Sequence, residues 1–187
     1  MECPIALRNF VDRFTNLIEG TAHDEQVILS FGSKLLADLI ARDDWLSPEC
    51  AKHDPQNYRQ YLLYCDPYER FSVVSFVWGP GQSTPIHDHT VWALIGVLRG
   101  SERNEQFTLG LPGQPMNCLE NKVTLRGGIE QVSPTIGDIH RVSNASLDQI
   151  SISIHVYGGN IGKIKRNVYD LETGAAKQFV SGYSTLS

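Results

Sequence analysis

Residues 79–100 read "GPGQSTPIHDHTVWALIGVLRG", and the folding of this stretch decides how the rest of the chain is read. A glycine-proline-glycine turn comes first, then two histidines separated by one residue, then an apolar run. A helix brings residues to one side at three- or four-residue spacing, whereas a strand does so at every second residue. The pattern is that of a strand on which His87 and His89 share a face and can hold one ligand. Asp88 is expected on the opposite face, away from that ligand. The apolar run, "VWALIGVL" at 91–98, is far short of the roughly 20 residues that cross a bilayer.

Outward from this stretch, a period of two begins near residue 60. Short β-rich runs follow: "SVVSFVW", "VWALIGVL", "EQFTL", "NKVTL", "IEQVS", "IHRVS", "ISISIHVY", "RNVYDL" and "KQFVSG". Turn signals separate them, among them "GPGQ", "RGSERN", "GLPGQP", "RGG", "PTIGD" and "GGNIG". Short strands with turns every 8 to 12 residues or so predict a mainly β sandwich or barrel. The first forty or so residues read as helix instead. Leu7, Phe10, Val11, Phe14, Leu17 and Ile18 recur at helical spacing, with Gly20 as a C-cap. After Asp24 a second stripe holds Val27, Ile28, Phe31, Leu35, Leu36, Leu39 and Ile40. These helices need the β unit to cover them, so residues 1–187 are expected to form a single domain, helical over 1–55 and a β-barrel over 56–187.

The composition narrows the partners. With 187 residues, 41% of them hydrophobic, the chain can build a core, and a net charge of -5 with scattered lysines and arginines leaves no footprint for nucleic acid or an anionic membrane. A small-molecule partner is expected. The beginning, "MECPIALRNFVDRF", lacks the apolar centre of a signal peptide, so a soluble, cytoplasmic protein is expected. Cys3, Cys50, Cys65 and Cys118 form no C-x-x-C pair and are read as reduced thiols without a role. Nothing in the sequence specifies an oligomeric state.

Of six histidines, His23 and His53 fall in a helix lead-in and a polar loop and read as surface residues. His140 follows a Gly-Asp turn in "SPTIGDIHRVSN" and can meet His87 and His89 on one rim of a barrel. Three imidazoles suit zinc, copper, iron or nickel and leave open positions, as a reactive site requires. The spacing is specific. Gly81, five residues, His87, one residue, His89, three residues, Ala93, six residues and Gly100 resemble the first cupin signature. The second signature is similar to Gly128, five residues, Pro134, then Gly137, two residues, His140, three residues and Asn144, with one extra residue between Pro134 and Gly137. Many cupins carry glutamate where Ala93 stands, so a three-histidine set is expected. Such a metal keeps its full charge and favours an anionic ligand. A thiol, with a pKa of about 8.5 when free, would be deprotonated there, with room beside it for dioxygen.

In "ISISIHVY" Ser153, His155 and Tyr157 alternate with Ile152, Ile154 and Val156. If the polar face points into a barrel, hydroxyl, imidazole and phenol can bond in series. The stretches "PIHDHTVWALIGVLRG", "SPTIGDIH" and "SISIHVYGGNIG" resemble the bacterial thiol dioxygenases of the cysteine dioxygenase type I group, which includes 3-mercaptopropionate dioxygenases. The likeness runs from about residue 56 onward. It implies Fe(II), one per chain, on His87, His89 and His140, a hydrogen-bond network of Ser153, His155 and Tyr157, and oxidation of a small thiol by O2 to a sulfinic acid. It also places Gln60 where mammalian enzymes have a carboxylate-gripping arginine, and Arg166 where the mercaptopropionate enzymes have theirs. Without the resemblance Arg166 reads as a surface charge. Mammalian-type enzymes have a cysteine at the position of Ala93 that links to the tyrosine, so here Tyr157 is expected to stay unmodified. The resemblance favours 3-mercaptopropionate, with L-cysteine as the alternative. A metal isomerase or decarboxylase and a non-enzymatic ligand-binding cupin are the more distant readings.

Overall fold

The computed structural model describes residues 4–186; the reading of Cys3 lies outside them. Two helices lead, α1 (Ile5–Gly20) and α2 (Glu25–Ile40). Strands β1 (Arg59–Cys65), β2 (Ser72–Trp78), β3 (Ile86–His87), β4 (Ala93–Arg99), β5 (Ser101–Thr108) and β6 (Asn117–Leu125) follow. They continue as β7 (Ile129–Val132), β8 (His140–Asn144), β9 (Ser151–Tyr157), β10 (Arg166–Tyr169) and β11 (Ala176–Phe179). One sheet has the order β1-β2-β9-β4-β7, the other β11-β10-β3-β8-β5-β6, and the paired strands run antiparallel. This is the mainly β, cupin-type two-sheet barrel with N-terminal helices that the sequence predicts.

The alternation along β9 sorts the whole interior. Ile152, Ile154 and Val156 join Val73, Val77, Leu94 and the helix residues Phe14, Ile18, Leu36 and Ile40 in one apolar cluster. On the other face Tyr157 packs with Val74, Phe76, Ala93 and Ile95 in a second cluster inside the barrel. Both faces of β9 are therefore buried, which leaves no solvent side for its polar residues. Phe14 anchors the helix layer, fully buried with ring centroids 5.0 Å from Phe71 and 5.3 Å from Phe10. Burying such a side chain contributes roughly 1.5–3 kcal/mol.

Helix α2 approaches β4 closely because each surface offers a glycine to the side chains of the other. A Cβ on Gly96 would lie 2.9 Å from Ile40 Cδ1 and 3.1 Å from Leu36 Cγ, and one on Gly32 2.8 Å from Leu94 Cδ1. Gly96→Val is accordingly expected to lower stability by about 1–3 kcal/mol through overpacking. Urea unfolding of the purified variant checks this; an unchanged midpoint would mean that the helix shifts freely.

Several expectations need correction. Helix α1 includes Gly20, and the end is closed by Thr21, whose hydroxyl donates to Leu17 O at 2.8 Å and satisfies a terminal carbonyl. At the start of α2, Asp24 caps by accepting from Val27 N. Phe31 is exposed, and Leu29 takes a buried place on α2. "RGSERN" is not a loop: Gly100, at φ +70°, makes the turn alone, and Ser101 to Asn104 belong to β5. Pairing with β6 on one side and β8 on the other holds this polar segment extended. Strand β1, absent from the predicted runs, pairs with β2 at the sheet edge.

Candidate active site

Two strand ends and the connection between two strands bring the histidines together. His87 ends β3 and pairs directly with His140 at the start of β8, so both side chains leave the same face; His89, expected on the same strand as His87, lies two residues beyond the end of β3, in the connection to β4. Their ligating atoms lie within 4.8 Å of one another, and all three residues are buried. Asp88 points away, accepting from Asn167 N, Asn167 Nδ2 and the Tyr169 hydroxyl.

Each ring is oriented by an oxygen acceptor on Nδ1. Pro85 O lies 3.1 Å from His87 Nδ1, Asp138 Oδ1 2.8 Å from His89 Nδ1, and Asn104 Oδ1 2.9 Å from His140 Nδ1. The proton therefore sits on Nδ1, and Nε2 presents its lone pair inward. His140 Nε2 and His89 Nε2 are 3.3 Å apart. Two lone pairs facing each other with no hydrogen between them repel, and a cation in their midst removes the repulsion. Burial, the largest effect, pulls His87 down to about 4 and lowers His89 and His140 well below the ordinary range. All three are neutral imidazoles, the ligating form. The donor set fits a divalent transition metal.

Asp138 does a second task. Its Oδ2 accepts from the backbone N–H groups of His89 and Thr90, at 2.9 and 2.8 Å. These bonds hold Thr90 at φ +60°, a left-handed conformation that side-chain-bearing residues rarely adopt. Sequence reasoning missed Asp138 and Asn104, although the first stands two residues before His140 in the second signature. Asn104→Leu is expected to weaken metal binding about 10- to 100-fold, measured by competition with a chelator. Unchanged affinity would mean that the barrel alone orients His140.

The polar face of β9 points inward. Ser153 Oγ lies 2.8 Å from His155 Nε2, and His155 Nδ1 lies 2.8 Å from the Tyr157 hydroxyl. The His155 ring stacks on Phe76 at 4.1 Å, and the Tyr157 ring lies 5.5 Å from that of His89. Burial lowers His155 to about 3 and raises Tyr157, so the chain contains a neutral imidazole and an intact phenol. Ala93 is the cross-strand partner of Tyr157 and offers no sulfur to it.

Arg166 is buried, not a surface charge. It stands two residues before Val168, the partner of His87, and so shares the histidine face. A terminal nitrogen donates to Ser181 Oγ at 2.6 Å, the guanidinium carbon lies 4.7 Å from the centre of the Phe179 ring, and Nε has no partner. Burial lowers its pKa, with Tyr157 and Tyr58 opposing. Gln60 is opposite Phe76 in the β1–β2 register and donates its amide to Gly182 O at 2.8 Å, which ties the C-terminal segment to the barrel. Its neighbour Arg59 is ion-paired with Asp54. Tyr58 packs its ring against Trp78 and Phe76, close enough to feel the charge of Arg166. His23 and His53 are exposed, and Trp45, Trp78 and Trp92 serve packing.

A two-sheet antiparallel barrel with three neutral histidines gathered inside it defines a cupin with a group able to hold a metal ion. The chain matches the family model of cysteine dioxygenase type I over residues 7–170, and it belongs to that family. It is 26% identical to human cysteine dioxygenase type 1 over 124 residues, covering 58% of this chain and 60% of the human protein. With the rat protein of the same name the identity is 30% over 111 residues, covering 57% and 54%. The aligned region thus spans little more than half the length of these relatives. A Klebsiella pneumoniae protein with a double-stranded β-helix domain superposes with a TM-score of 0.48 at 15% identity, covering 75% of this chain and 98% of that one. A RmlC-like cupin from Desulfovibrio desulfuricans gives 0.46 at 19%, covering 63% and 97%. No helix among the described residues is long and apolar enough to cross a membrane.

Proposed function

We propose that this protein is an Fe(II)-dependent thiol dioxygenase that oxidises a small thiol carboxylate to its sulfinic acid, with 3-mercaptopropionate preferred to L-cysteine. The observation that carries the reading is Arg166, a buried guanidinium with an unpaired Nε on the face shared with the three histidines. A buried cation lacking an anionic partner is costly, and a ligand that brings a carboxylate compensates it. The activity named in the human and rat relatives supports the reaction class. In the net reaction thiol and dioxygen combine to sulfinic acid, the electrons lost by sulfur being those gained by dioxygen. When bound, iron would supply Lewis-acid activation of the thiol and redox chemistry with O2.

The chain's own residues do the rest. Ser181 fixes one edge of the Arg166 guanidinium, leaving Nε to meet a carboxylate oxygen. The Tyr157 phenol, kept protonated by burial, is the hydrogen-bond donor beside the histidines, and His155 holds its ring in place. Gln60 supplies no charge and its amide is spent on Gly182, so the anchoring cation is Arg166. A thiol that needs only sulfur and carboxylate contacts fits this arrangement. The apolar core shared by α1, α2 and the five-stranded sheet supports one cupin domain over 1–187. The free thiols of Cys50, Cys65 and Cys118 agree with work in the cytoplasm.

Oxygen uptake by the Fe(II)-loaded protein, with 3-mercaptopropionate and L-cysteine compared and products identified by mass, tests the proposal. Sulfinate from both thiols with a higher kcat/KM for 3-mercaptopropionate is the expected result. Preference for cysteine would transfer the assignment to that substrate. No uptake with either, at full iron occupancy, would leave a metal-binding cupin without dioxygenase activity.

A further inference from the structure

Glu102 on β5 is buried, and neither carboxyl oxygen has a hydrogen-bond partner at normal geometry. Neutral groups surround it: Ser153 and Ser151 of β9 and the Trp78 indole of β2. The Ser151 hydroxyl is likewise buried and unpartnered. The small internal cavity beside Glu102 is lined by Ile95, Val97, Val142 and Asn104, which do not titrate, and by Thr124 and Glu130. Glu130 is already satisfied, by Lys122 at 2.6 Å and the Thr124 hydroxyl at 2.5 Å. A carboxylate buried without a cation takes up a proton instead of remaining charged. Burial raises Glu102 to about 8, against the weaker pull of its three neighbours.

That proton matters because Ser153 heads the chain ending at Tyr157. A serine hydroxyl has one hydrogen and two lone pairs. The Trp78 indole, 3.3 Å away, only donates and fills one lone pair. An ionised Glu102 only accepts, so it would take the serine hydrogen. His155 would then donate from Nε2, and its Nδ1 would draw in the phenol hydrogen of Tyr157. A protonated Glu102 donates to Ser153 Oγ, which then gives its hydrogen to His155 Nε2. His155 in turn donates from Nδ1 to the Tyr157 oxygen, and the phenol hydrogen is left to point into the site.

We propose that Glu102 is the head of this chain, donating as a neutral acid to Ser153 and so fixing the direction in which Tyr157 presents its proton. It acts through Ser153 and His155 and is a positioning residue. The inference rests on the reading of Tyr157 as the donor in a dioxygenase reaction, yet the direction of the chain is measurable without that reaction.

Nitrogen-15 NMR of the metal-free, full-length protein reports which ring nitrogen of His155 carries the proton. Near pH 6 both the wild type and Glu102→Gln are expected to show Nδ1–H. At about pH 10 the wild type is expected to shift to Nε2–H as Glu102 ionises, while Glu102→Gln, which cannot ionise, keeps Nδ1–H. In the Fe(II)-loaded protein, Glu102→Leu is expected to lower kcat roughly tenfold with KM little changed, and Glu102→Gln to retain most of the activity. A wild-type tautomer that does not move with pH, or full kcat in Glu102→Leu, would overturn the proposal. If the loaded wild type consumes no oxygen, the dioxygenase reading fails, and the His155 tautomer still decides what Glu102 does.

Discussion

Replacing His140 by alanine is expected to abolish stoichiometric metal binding and, with it, oxygen uptake. The three imidazoles are the described residues whose ligating atoms converge, and Ala93 offers no fourth donor. Removal leaves His87 and His89 as a two-ligand set, too few for a stable site. It also strands Asn104, whose Oδ1 accepts from His140; an orphaned buried acceptor costs about 1–3 kcal/mol of stability. That loss is small enough for the barrel to persist, so circular dichroism and metal analysis on the same sample separate loss of the site from loss of the fold. Retained metal at one ion per chain would show that His140 is not a ligand.

The second large effect is expected from Arg166→Gln. A buried charged pair that loses one partner costs about 3–5 kcal/mol, and each 1.4 kcal/mol or so is tenfold. The value of kcat/KM for 3-mercaptopropionate is therefore expected to fall by roughly two to three and a half orders of magnitude. The fall should be much smaller for a thiol of similar size without a carboxylate, because that ligand never used the guanidinium. The free variant should be no less stable than the wild type, since the unpaired buried charge of Arg166 is a liability until a ligand arrives. Equal losses with both thiols would assign Arg166 to holding the barrel and its C-terminal segment, through Ser181, instead of to the substrate.

The two periodicities of the sequence carry different amounts of information. Spacing in "HDH" predicts that His87 and His89 converge, although β3 ends at His87 and Asp138 holds His89 beyond it, and the alternation in "ISISIHVY" fixes that Ser153, His155 and Tyr157 share a face. Neither says which face looks inward. That was decided by α1 and α2, which cover the isoleucine side of β9 and turn its polar side into the barrel. Composition misled where pairing overrode it: "SERN" reads as a loop but is held as strand between β6 and β8.

By itself, then, the sequence determined the helix and strand alternation, the three histidines and the polar triplet, since each follows from short-range spacing or from a signature within one segment. Tertiary structure alone decided that Arg166 is buried, that Gln60 is bound to Gly182 across 122 positions, and that the Glu102 carboxyl is buried without a hydrogen-bond partner. It also decided that Asp138 and Asn104 orient His89 and His140, contacts that span 49 and 36 positions. The reason is physical: a residue's burial and partners depend on which strands close the barrel around it, and such contacts leave no periodic trace in the local sequence.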